Sequence, residues 1–557
     1  MKIVLSTALP VSAHYLSTLV LLFRPVEKFG AGDDRSTLSL TLYEENETFF
    51  GKATLFENGK TFEKAASAKA GDYAVCENPA KVFAGNLIVA LFSEHDGYAP
   101  PWGILTGVRP ARFALDFLQK GFSHEKTAKI LSEIYKVRPE KAALSLSVAD
   151  IDLDHLKYRK EKTFGLYIGI PFCPTRCRYC SFTSYATPSL AALLPDYLAC
   201  LCEEVRLYLK TARELSLSLC ELYIGGGTPS VLSEKQLEQF FSELLPLLSY
   251  SSETLSEFTF EAGRPDTVTE EKLKILRGAG AGRISINTQT TNDAILCAVG
   301  RGHTARDYFS AFEKARKAGF ASINTDLIAG LPGESVESFE KSLCDVLSLE
   351  PENITVHAFT LKRSSEYTVG GKTISPSDPT VLRMLSFTEE KMRKNGYFPY
   401  YMYRQKNTGG NLENVGYAKT KDAICRYNID MMEEFRTVLA AGAGASSKLV
   451  GKDIKTVKKL HNPKYPYEYL KDNTYMLKNR EENLYYPIPN SSQIPRSKLT
   501  GHQTCNAAEL RGIRPSRQSP NGCASTSARL VARGNKKGLF FIKLKNLQFH
   551  KPVYLSL

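Results

Sequence analysis

The chain has 557 residues, of which 43% are hydrophobic and 24% charged, a composition typical of a globular protein with a sizeable buried core. Its net charge of +13 is concentrated near one end, because residues 483–557 contain 12 Lys and Arg but a single acidic residue, Glu509. The other 482 residues have a net charge of only +2. The composition therefore gives no electrostatic indication of a nucleic-acid partner, and we do not expect one.

The first 24 residues include an apolar stretch, but Pro10 and His14 interrupt it and no clear cleavage site follows. We expect no membrane span here. Twelve cysteines in so long a chain do not form the disulfide framework of a small secreted domain, so we expect a cytoplasmic protein. Seven scattered cysteines have apolar neighbours and are predicted to be core thiols: Cys76, Cys200, Cys202, Cys220, Cys297, Cys344 and Cys425.

Residues 1–160 are predicted to form an N-terminal α+β extension. Polar and apolar residues alternate over Thr37–Tyr43, and an Asn-Gly turn joins strand-like segments at Thr48–Phe56 and Lys60–Ala65. A helix is predicted over Pro79–Phe92, and the pattern is again helical between residues 109 and 156. Trp102, the only tryptophan, is expected to pack in a core.

Residues 161–397 alternate between short apolar segments and longer helical ones. The predicted strands are Phe164–Ile170, Leu219–Ile224, Glu257–Glu261, Arg283–Asn287, Ser322–Ile328 and Ile354–Thr360. The predicted helices between and after them are Leu190–Ala212, Glu234–Leu248, Glu270–Ala279, Ala305–Ala318, Val336–Leu349 and Val381–Asn395. Six such units with right-handed crossovers predict an α/β fold with a parallel sheet that curls into part of a barrel.

The first predicted strand leads directly into Cys173, Cys177 and Cys180, which follow a C-x3-C-x2-C spacing. Thiolates hold iron–sulfur clusters, and three of them on a cubane would leave the fourth iron open to a small molecule. Two other interpretations remain open at this point. The cysteines could be buried apolar residues, or they could be part of a zinc site, although zinc sites usually take four ligands.

Polar and glycine residues stand at the ends of the next four predicted strands. The second strand ends in the glycine-rich turn 225–230, and Glu261 ends the third. Gln289 and Arg301 follow the fourth strand, and Asp326 belongs to the fifth. Because functional groups of parallel α/β folds gather at the carboxyl ends of the strands, these residues are predicted to meet in one site.

Two further regions are predicted after the barrel. Residues 398–482 mix tyrosines with Arg404 and Lys406, a combination that suits a flat ligand carrying carboxylates but equally suits an ordinary core. Residues 483–557 are rich in Pro, Ser, Arg, Gly and Asn, and are predicted to be disordered.

The cysteine motif resembles the signature of the radical S-adenosylmethionine (radical SAM) superfamily. The preceding residues 167–172 resemble the oxygen-independent coproporphyrinogen III oxidase branch, and residues 101–110 resemble its HemZ-like group. The resemblance implies a partial (βα)6 TIM-like radical SAM barrel, residues 398–482 covering the substrate, a [4Fe-4S] cluster on the three cysteines, and one or two SAM molecules.

The resemblance also implies which residues bind the cofactors. Tyr167, Gly226 and Glu261 match positions that bind the SAM on the cluster. Residues that match positions contacting a second SAM in this branch are Tyr179, Gly227, Thr228, Gln289, Arg301 and Asp326.

The activity implied by the resemblance is radical oxidative decarboxylation of porphyrinogen propionates to vinyl groups in haem biosynthesis, with a tetrapyrrole substrate and an electron-donor protein as partners. One residue departs from the pattern: Phe182 stands where the oxidases have a further cysteine. The alternatives are a haem-binding or haem-delivery protein without decarboxylase activity, or a radical enzyme acting on another tetrapyrrole.

Overall fold

The structure, a computed structural model, describes residues 1–24, 36–180, 185–186, 190–249, 255–362, 365–369, 375, 377–405, 408–451, 456–471, 477 and 483–484. The predicted tail 483–557, apart from its first two residues, lies outside the described residues, as do Phe182 and Lys406. The predicted division at residues 160, 397 and 482 stays a prediction, since residues 1–499 cluster as one compact unit.

The N-terminal extension contains a four-stranded sheet. Its strands are Lys2–Thr7 (β1), Ser36–Glu45 (β2), Thr48–Glu57 (β3) and Lys60–Lys69 (β4). The hairpins β2–β3 and β3–β4 are antiparallel, whereas β1, which the sequence did not predict, pairs parallel to β2.

The helices of the extension cover this sheet and lead to the barrel. They are Ala13–Val20 (α1), Pro79–Asp96 (α2), Pro110–Gln119 (α3), His124–Lys129 (α4), continued by a π-helical turn Ile130–Ile134, and Pro139–Tyr158 (α5). Three of them begin with proline, which suits the first turn because its missing N–H has no helical partner there. Trp102 is fully buried, as predicted.

All six predicted barrel strands are present and parallel. They are Thr163–Ile170 (β5), Ser218–Gly226 (β8), Glu257–Gly263 (β9), Arg283–Ile286 (β10), Ser322–Ala329 (β11) and Asn353–Ala358 (β12), and they pair in chain order. A two-stranded ladder, Phe172–Cys173 (β6) with Tyr185–Ala186 (β7), lies at the mouth. Strand β5 is a nearly continuous apolar run because both of its faces are buried, whereas polar residues such as Ser285, Asn324 and Asp326 interrupt β10 and β11 on one face.

The barrel helices lie between and after these strands. They are Leu194–Glu214 (α6), Glu234–Leu248 (α7), Glu270–Gly278 (α8), Asp293–Ala298 (α9), Ala305–Lys317 (α10), Val336–Leu347 (α11), Glu366–Val369 (α12) and Pro379–Lys394 (α13). Ser233 and Thr304 cap α7 and α10 with reciprocal side-chain bonds. The short helix α9 was not predicted.

The chain after α13 extends both edges of the barrel sheet. Strand Phe398–Arg404 (β13) forms an antiparallel hairpin with Glu413–Ala418 (β14), and β14 pairs antiparallel with β12. Helix Arg426–Glu433 (α14) then leads to the opposite edge, where Val438–Ala441 (β15) runs parallel to β5 and is followed by Ser446–Val450 (β16), Val457–His461 (β17) and helix Pro466–Lys471 (α15). In the described residues the sheet has eleven strands from β13 to β17, a partial barrel with an unpredicted seventh parallel strand.

A buried carboxylate joins the returning chain to the barrel. Glu204 on α6 accepts hydrogen bonds from the hydroxyls of Tyr208 and Tyr469, at 2.6 and 2.7 Å, and from the Gly442 N–H at 2.9 Å. The amide of Asn462 also donates to it at 2.9 Å. Through these four donors Glu204 holds β15 and the loop after it beside β5.

None of the helices in the described part of the chain combines the length and the apolarity that a bilayer crossing needs. The cysteine prediction holds in part: Cys297 and Cys344 are exposed, while the other five scattered cysteines are buried. The two exposed thiols lie on the outer faces of short amphipathic helices, where apolar neighbours along the sequence do not determine burial.

We expect Glu204→Ala to lower the free energy of unfolding by about 3 kcal/mol, because several buried donors lose their shared acceptor together. Chemical denaturation measures this loss. The matched control is Glu203→Ala, one residue earlier on α6, where an exposed carboxylate pairs with Arg206 across one helical turn. A loss as large in the control would contradict the assignment.

Candidate active site

The cysteine loop begins at the carboxyl end of β5 and is anchored on both sides. Cys173 is buried in β6, with its Sγ 3.4 Å from the Thr228 hydroxyl. The Thr175 hydroxyl donates to the Gly300 carbonyl, and the Arg178 N–H donates to the Val299 carbonyl at 3.0 Å. These contacts hold the loop that carries Cys177 and Cys180 between the second and fourth strand ends.

The glycine turn after β8 packs directly against the start of this loop. The Gly227 and Thr228 N–H groups donate to the carbonyls of Ile170 and Phe172, at 2.9 and 2.7 Å. A Cβ on Gly227 would lie 2.5 Å from the Phe172 carbonyl oxygen, closer than any side chain can approach. Glycine is therefore required at residue 227 by the protein's own backbone.

Glu261 at the end of β9 faces the same turn. Its Oε2 accepts a 3.4 Å hydrogen bond from the Gly226 N–H. Removal from water, together with the nearby Asp326 carboxylate, raises the pKa of Glu261 to about 8. The side chain therefore holds its proton at neutral pH until a cationic group approaches it.

Gln289 and Arg301 present polar atoms that have no protein partner. The Gln289 backbone adopts a φ of 72°, a left-handed conformation that is strained for a residue with a side chain. The Gln289 Oε1 and Arg301 Nε atoms are buried without a hydrogen bond, while Arg301 Nη1 donates to the Tyr179 hydroxyl at 3.0 Å. The backbone strain at Gln289 and the unpaired buried atoms of Gln289 and Arg301 together indicate that this side of the site binds a polar ligand.

The floor of the site is a polar network in which Asp326 was predicted, while Ser285, Asn287 and Asn324 were missed by sequence reasoning. Asn324 donates from its amide to Ser285 Oγ and to Asp326 Oδ1, both at 2.8 Å. Ser285 in turn donates to Asn287 Oδ1 at 2.7 Å, and the Asp326 N–H donates to the same oxygen at 3.2 Å. The pattern that could have revealed it is polar residues two positions apart at the carboxyl end of a strand, because residues so spaced share one face of the sheet.

The hairpin β13–β14 supplies the wall opposite the cysteines. Tyr403 and Asn414 face inward, and the Tyr403 hydroxyl lies 3.3 Å from His357 Nδ1. Arg404 points to the other side of the hairpin, where its guanidinium donates to the carbonyls of Leu105 and Asn411. Of the two interpretations left open for this segment, Arg404 therefore follows the ordinary core, because side chains alternate along a strand and that of Arg404 faces away from the cavity.

All these groups surround one cavity of about 440 Å³. Of the residues predicted for the site, those that line it are Cys173, Cys177, Cys180, Tyr179, Gly226, Gly227, Thr228, Glu261, Gln289, Arg301 and Asp326. Tyr167 is missing from this lining; its ring instead stacks on Tyr223, which does line the cavity, at a centroid distance of 6.2 Å.

The residues around the cavity fit an iron–sulfur cluster and a polar ligand beside it. Three thiols from one anchored loop provide the all-sulfur donor set that such clusters take. Within the described residues, no three His, Cys, Asp or Glu side chains converge closely enough to hold a single metal ion. A cubane does not need such convergence, since each cysteine binds a different iron.

The cysteine loop at the mouth of a partial parallel barrel defines a radical SAM protein, and residues 167–345 match the model of the Radical SAM superfamily. The superfamily implies a [4Fe-4S] cluster, SAM and an enzyme of the radical SAM class. The chain is 38% identical over 389 residues to the oxygen-independent coproporphyrinogen-III oxidase-like protein HemZ of Bacillus subtilis, covering 68% of this chain and 76% of that protein. The chain belongs to the family of oxygen-independent coproporphyrinogen-III oxidase-like HemZ proteins.

Two further similarities accompany this one. The chain is 37% identical over 238 residues to the haem chaperone HemW of Bacillus subtilis, covering 42% of this chain and 61% of that protein. Among solved structures, coproporphyrinogen III oxidase HemN of Escherichia coli is similar with a TM-score of 0.44 and 22% identity, over 58% of this chain and 72% of that one.

We expect Gly227→Ala to reduce the iron and sulfide bound per chain after anaerobic reconstitution to less than about half, because the new methyl group displaces the strand that carries Cys173. Colorimetric iron and sulfide assays measure this. Gly278→Ala is the control, since a Cβ there meets nothing within 4 Å. Full cluster content in Gly227→Ala would refute the steric argument.

Proposed function

We propose that the chain is a radical SAM oxidoreductase that acts on propionate side chains of coproporphyrinogen III. A hydrogen atom is removed from a propionate, which then loses CO2 and passes one electron to a one-electron acceptor to become a vinyl group. The observation that supports this proposal best is the convergence of the three-cysteine loop, the glycine turn and the polar strand ends on one cavity. The oxidase-like name of the HemZ relative supports the substrate class.

In this proposal Cys173, Cys177 and Cys180 hold the cluster and leave one iron open. When bound, the cluster and SAM supply reductive cleavage of SAM and hydrogen abstraction from a substrate carbon. The chain's own part is to position these groups and to exclude water from them. An electron-donor protein supplies the electron.

Glu261 and Gly226 seat the SAM on the cluster, and Tyr167 supports this site from behind Tyr223. The protonated Glu261 releases its proton and pairs with a cationic group of SAM, because that cation compensates the charge which burial otherwise disfavours. The remaining polar wall would contact a second SAM molecule or the substrate, through Tyr179, Gly227, Thr228, Gln289, Arg301 and Asp326.

The far wall would receive the tetrapyrrole. Tyr401, Tyr403, Lys362 and His357 all line the cavity, and the Tyr403 hydroxyl lies 3.3 Å from His357 Nδ1. Burial lowers the pKa of Lys362, so an anionic ligand would favour its charged form. Aromatic rings beside a cationic group suit a flat ring system with carboxylates.

A second candidate is haem binding and delivery without decarboxylase activity. The apolar Phe182 after the cysteine loop and the similarity to HemW favour it. In that case the cavity would bind haem tightly and leave coproporphyrinogen III unchanged.

The test is anaerobic reconstitution with SAM, dithionite and coproporphyrinogen III, followed by mass spectrometry. We expect 5′-deoxyadenosine and products that have lost CO2. In Cys177→Ala both should fall to background, because two thiolates do not hold the cubane. Cys344→Ala, which removes an exposed thiol outside the site, should keep both.

Three outcomes separate the candidates. Deoxyadenosine without decarboxylated product would point to another tetrapyrrole substrate. Tight haem binding with neither product would favour haem delivery. An intact cluster that never cleaves SAM would refute the radical mechanism.

The raised pKa of Glu261 predicts a pH-dependent proton release. Below about pH 8 the carboxyl is protonated, and a cationic ligand lowers its pKa, so binding at pH 7 expels a proton. We expect SAM binding at pH 7 to release more protons in the wild type than in Glu261→Gln. Above pH 9 the difference should disappear, because Glu261 is then already ionised.

Isothermal titration calorimetry of the cluster-loaded protein in buffers with different ionisation enthalpies measures this release. Glu261→Gln keeps the shape of the side chain but has no proton to release. Its measured release therefore reports any proton lost by SAM itself, and this value is subtracted from that of the wild type. Equal release in both proteins at pH 7 would place the SAM cation away from Glu261.

A further inference from the structure

The N-terminal extension meets the barrel at a buried carboxylate, Glu413, on strand β14. Its Oε2 accepts from Trp102 Nε1 at 2.7 Å, and its Oε1 accepts from Lys141 Nζ at 2.6 Å. The exposed fractions of Trp102, Lys141 and Glu413 are 0, 1 and 1%. An ion pair so far from water depends on its full set of partners, since loss of either partner leaves a buried charge uncompensated.

Strand β13 is held by the same part of the extension. The Arg404 guanidinium lies over the Trp102 ring, 5.7 Å from its centroid, and donates to the Leu105 carbonyl. The Arg404 N–H donates to the Val108 carbonyl at 2.7 Å. The segment 101–110 therefore contacts both strands of the β13–β14 hairpin on the same face.

The opposite face of this hairpin is a wall of the active-site cavity. Arg404 pairs in register with Glu413, and the next pair along the strands is Tyr403 with Asn414. Asn414 bridges the hairpin to β12, accepting from the Ala358 N–H at 3.0 Å and donating to the Tyr403 carbonyl at 3.1 Å. Alternation along the strands thus turns one pair toward the extension and the next toward the cavity.

We propose that Glu413 is a positioning residue, through which the N-terminal extension fixes the cavity wall formed by Tyr403 and Asn414 and so sets where the substrate lies. This role deepens the proposed function and rests on it for the identity of the substrate. Its structural premise, that the contact with Trp102 and Lys141 holds the hairpin rigid, stands independently of the reaction.

The test compares Glu413→Gln and Trp102→Phe with the wild-type holoprotein. The first leaves the Lys141 ammonium without its anion, and the second keeps a ring but removes the indole N–H. We expect hydrogen exchange of hairpin amides 398–404 and 413–418 to become about tenfold faster, with β8 and β9 unchanged. We also expect the decarboxylated product formed per deoxyadenosine to fall about tenfold, because a misplaced substrate escapes the cleavage event.

Two further variants separate positioning from general destabilisation. Leu87→Ala opens the core of the extension between α2 and β3, away from the hairpin, and should lower the melting temperature without changing the product ratio. The double variant Lys141→Met, Glu413→Gln removes both charges of the pair and keeps an acceptor for Trp102. It should restore slow hairpin exchange and most of the product ratio.

Each outcome decides one question. Unchanged hairpin exchange in Glu413→Gln, or an equal loss of product ratio in Leu87→Ala, would overturn the positioning role. If the wild type cleaves SAM but never acts on coproporphyrinogen III, the proposed function fails, and hairpin exchange alone then decides the positioning role.

Discussion

The main-chain contact between the first two strand ends determines the geometry of the site. Gly227 and Thr228 donate to the carbonyls of Ile170 and Phe172, and so bind the glycine turn to the strand that delivers Cys173. The thiols stand on a loop with little secondary structure of its own, so their position relative to Glu261 depends on this contact. A side chain on residue 227 would separate the two segments, which is why the turn is glycine-rich.

Charge is distributed unevenly around the cavity that this contact closes. Glu261 and Asp326 lie on the floor, whereas Arg264 and Arg301 stand toward the cysteine loop. Arg264 donates to the Thr175 hydroxyl at 2.6 Å and also pairs with Asp266, so its charge is already compensated. The site therefore combines anchored cations near the thiols with a carboxyl that can release its proton, an arrangement suited to a ligand with both positive and negative ends.

The parts of this structure that the sequence predicts are those in which a local residue pattern determines the position of the residue. The six parallel strands and the residues at their carboxyl ends were predictable, because buried parallel strands are long apolar runs and functional groups gather at one end. The role of Arg404 stayed open because its neighbours along the chain do not reveal which face of a hairpin looks into the cavity. Strand β15 was missed because four apolar residues carry no period of their own, and their role depends on pairing with β5, which is remote in sequence.

The position of β15 has a consequence for synthesis of the protein. When the ribosome has produced all six βα units, one edge of β5 still exposes its unpaired backbone groups, since Val438–Ala441 has not yet emerged. An open apolar edge of this kind pairs readily with other chains. The nascent barrel must therefore be shielded, or remain incompletely folded, until the 47 residues from 395 to 441 have also been translated, at roughly 5–20 residues per second.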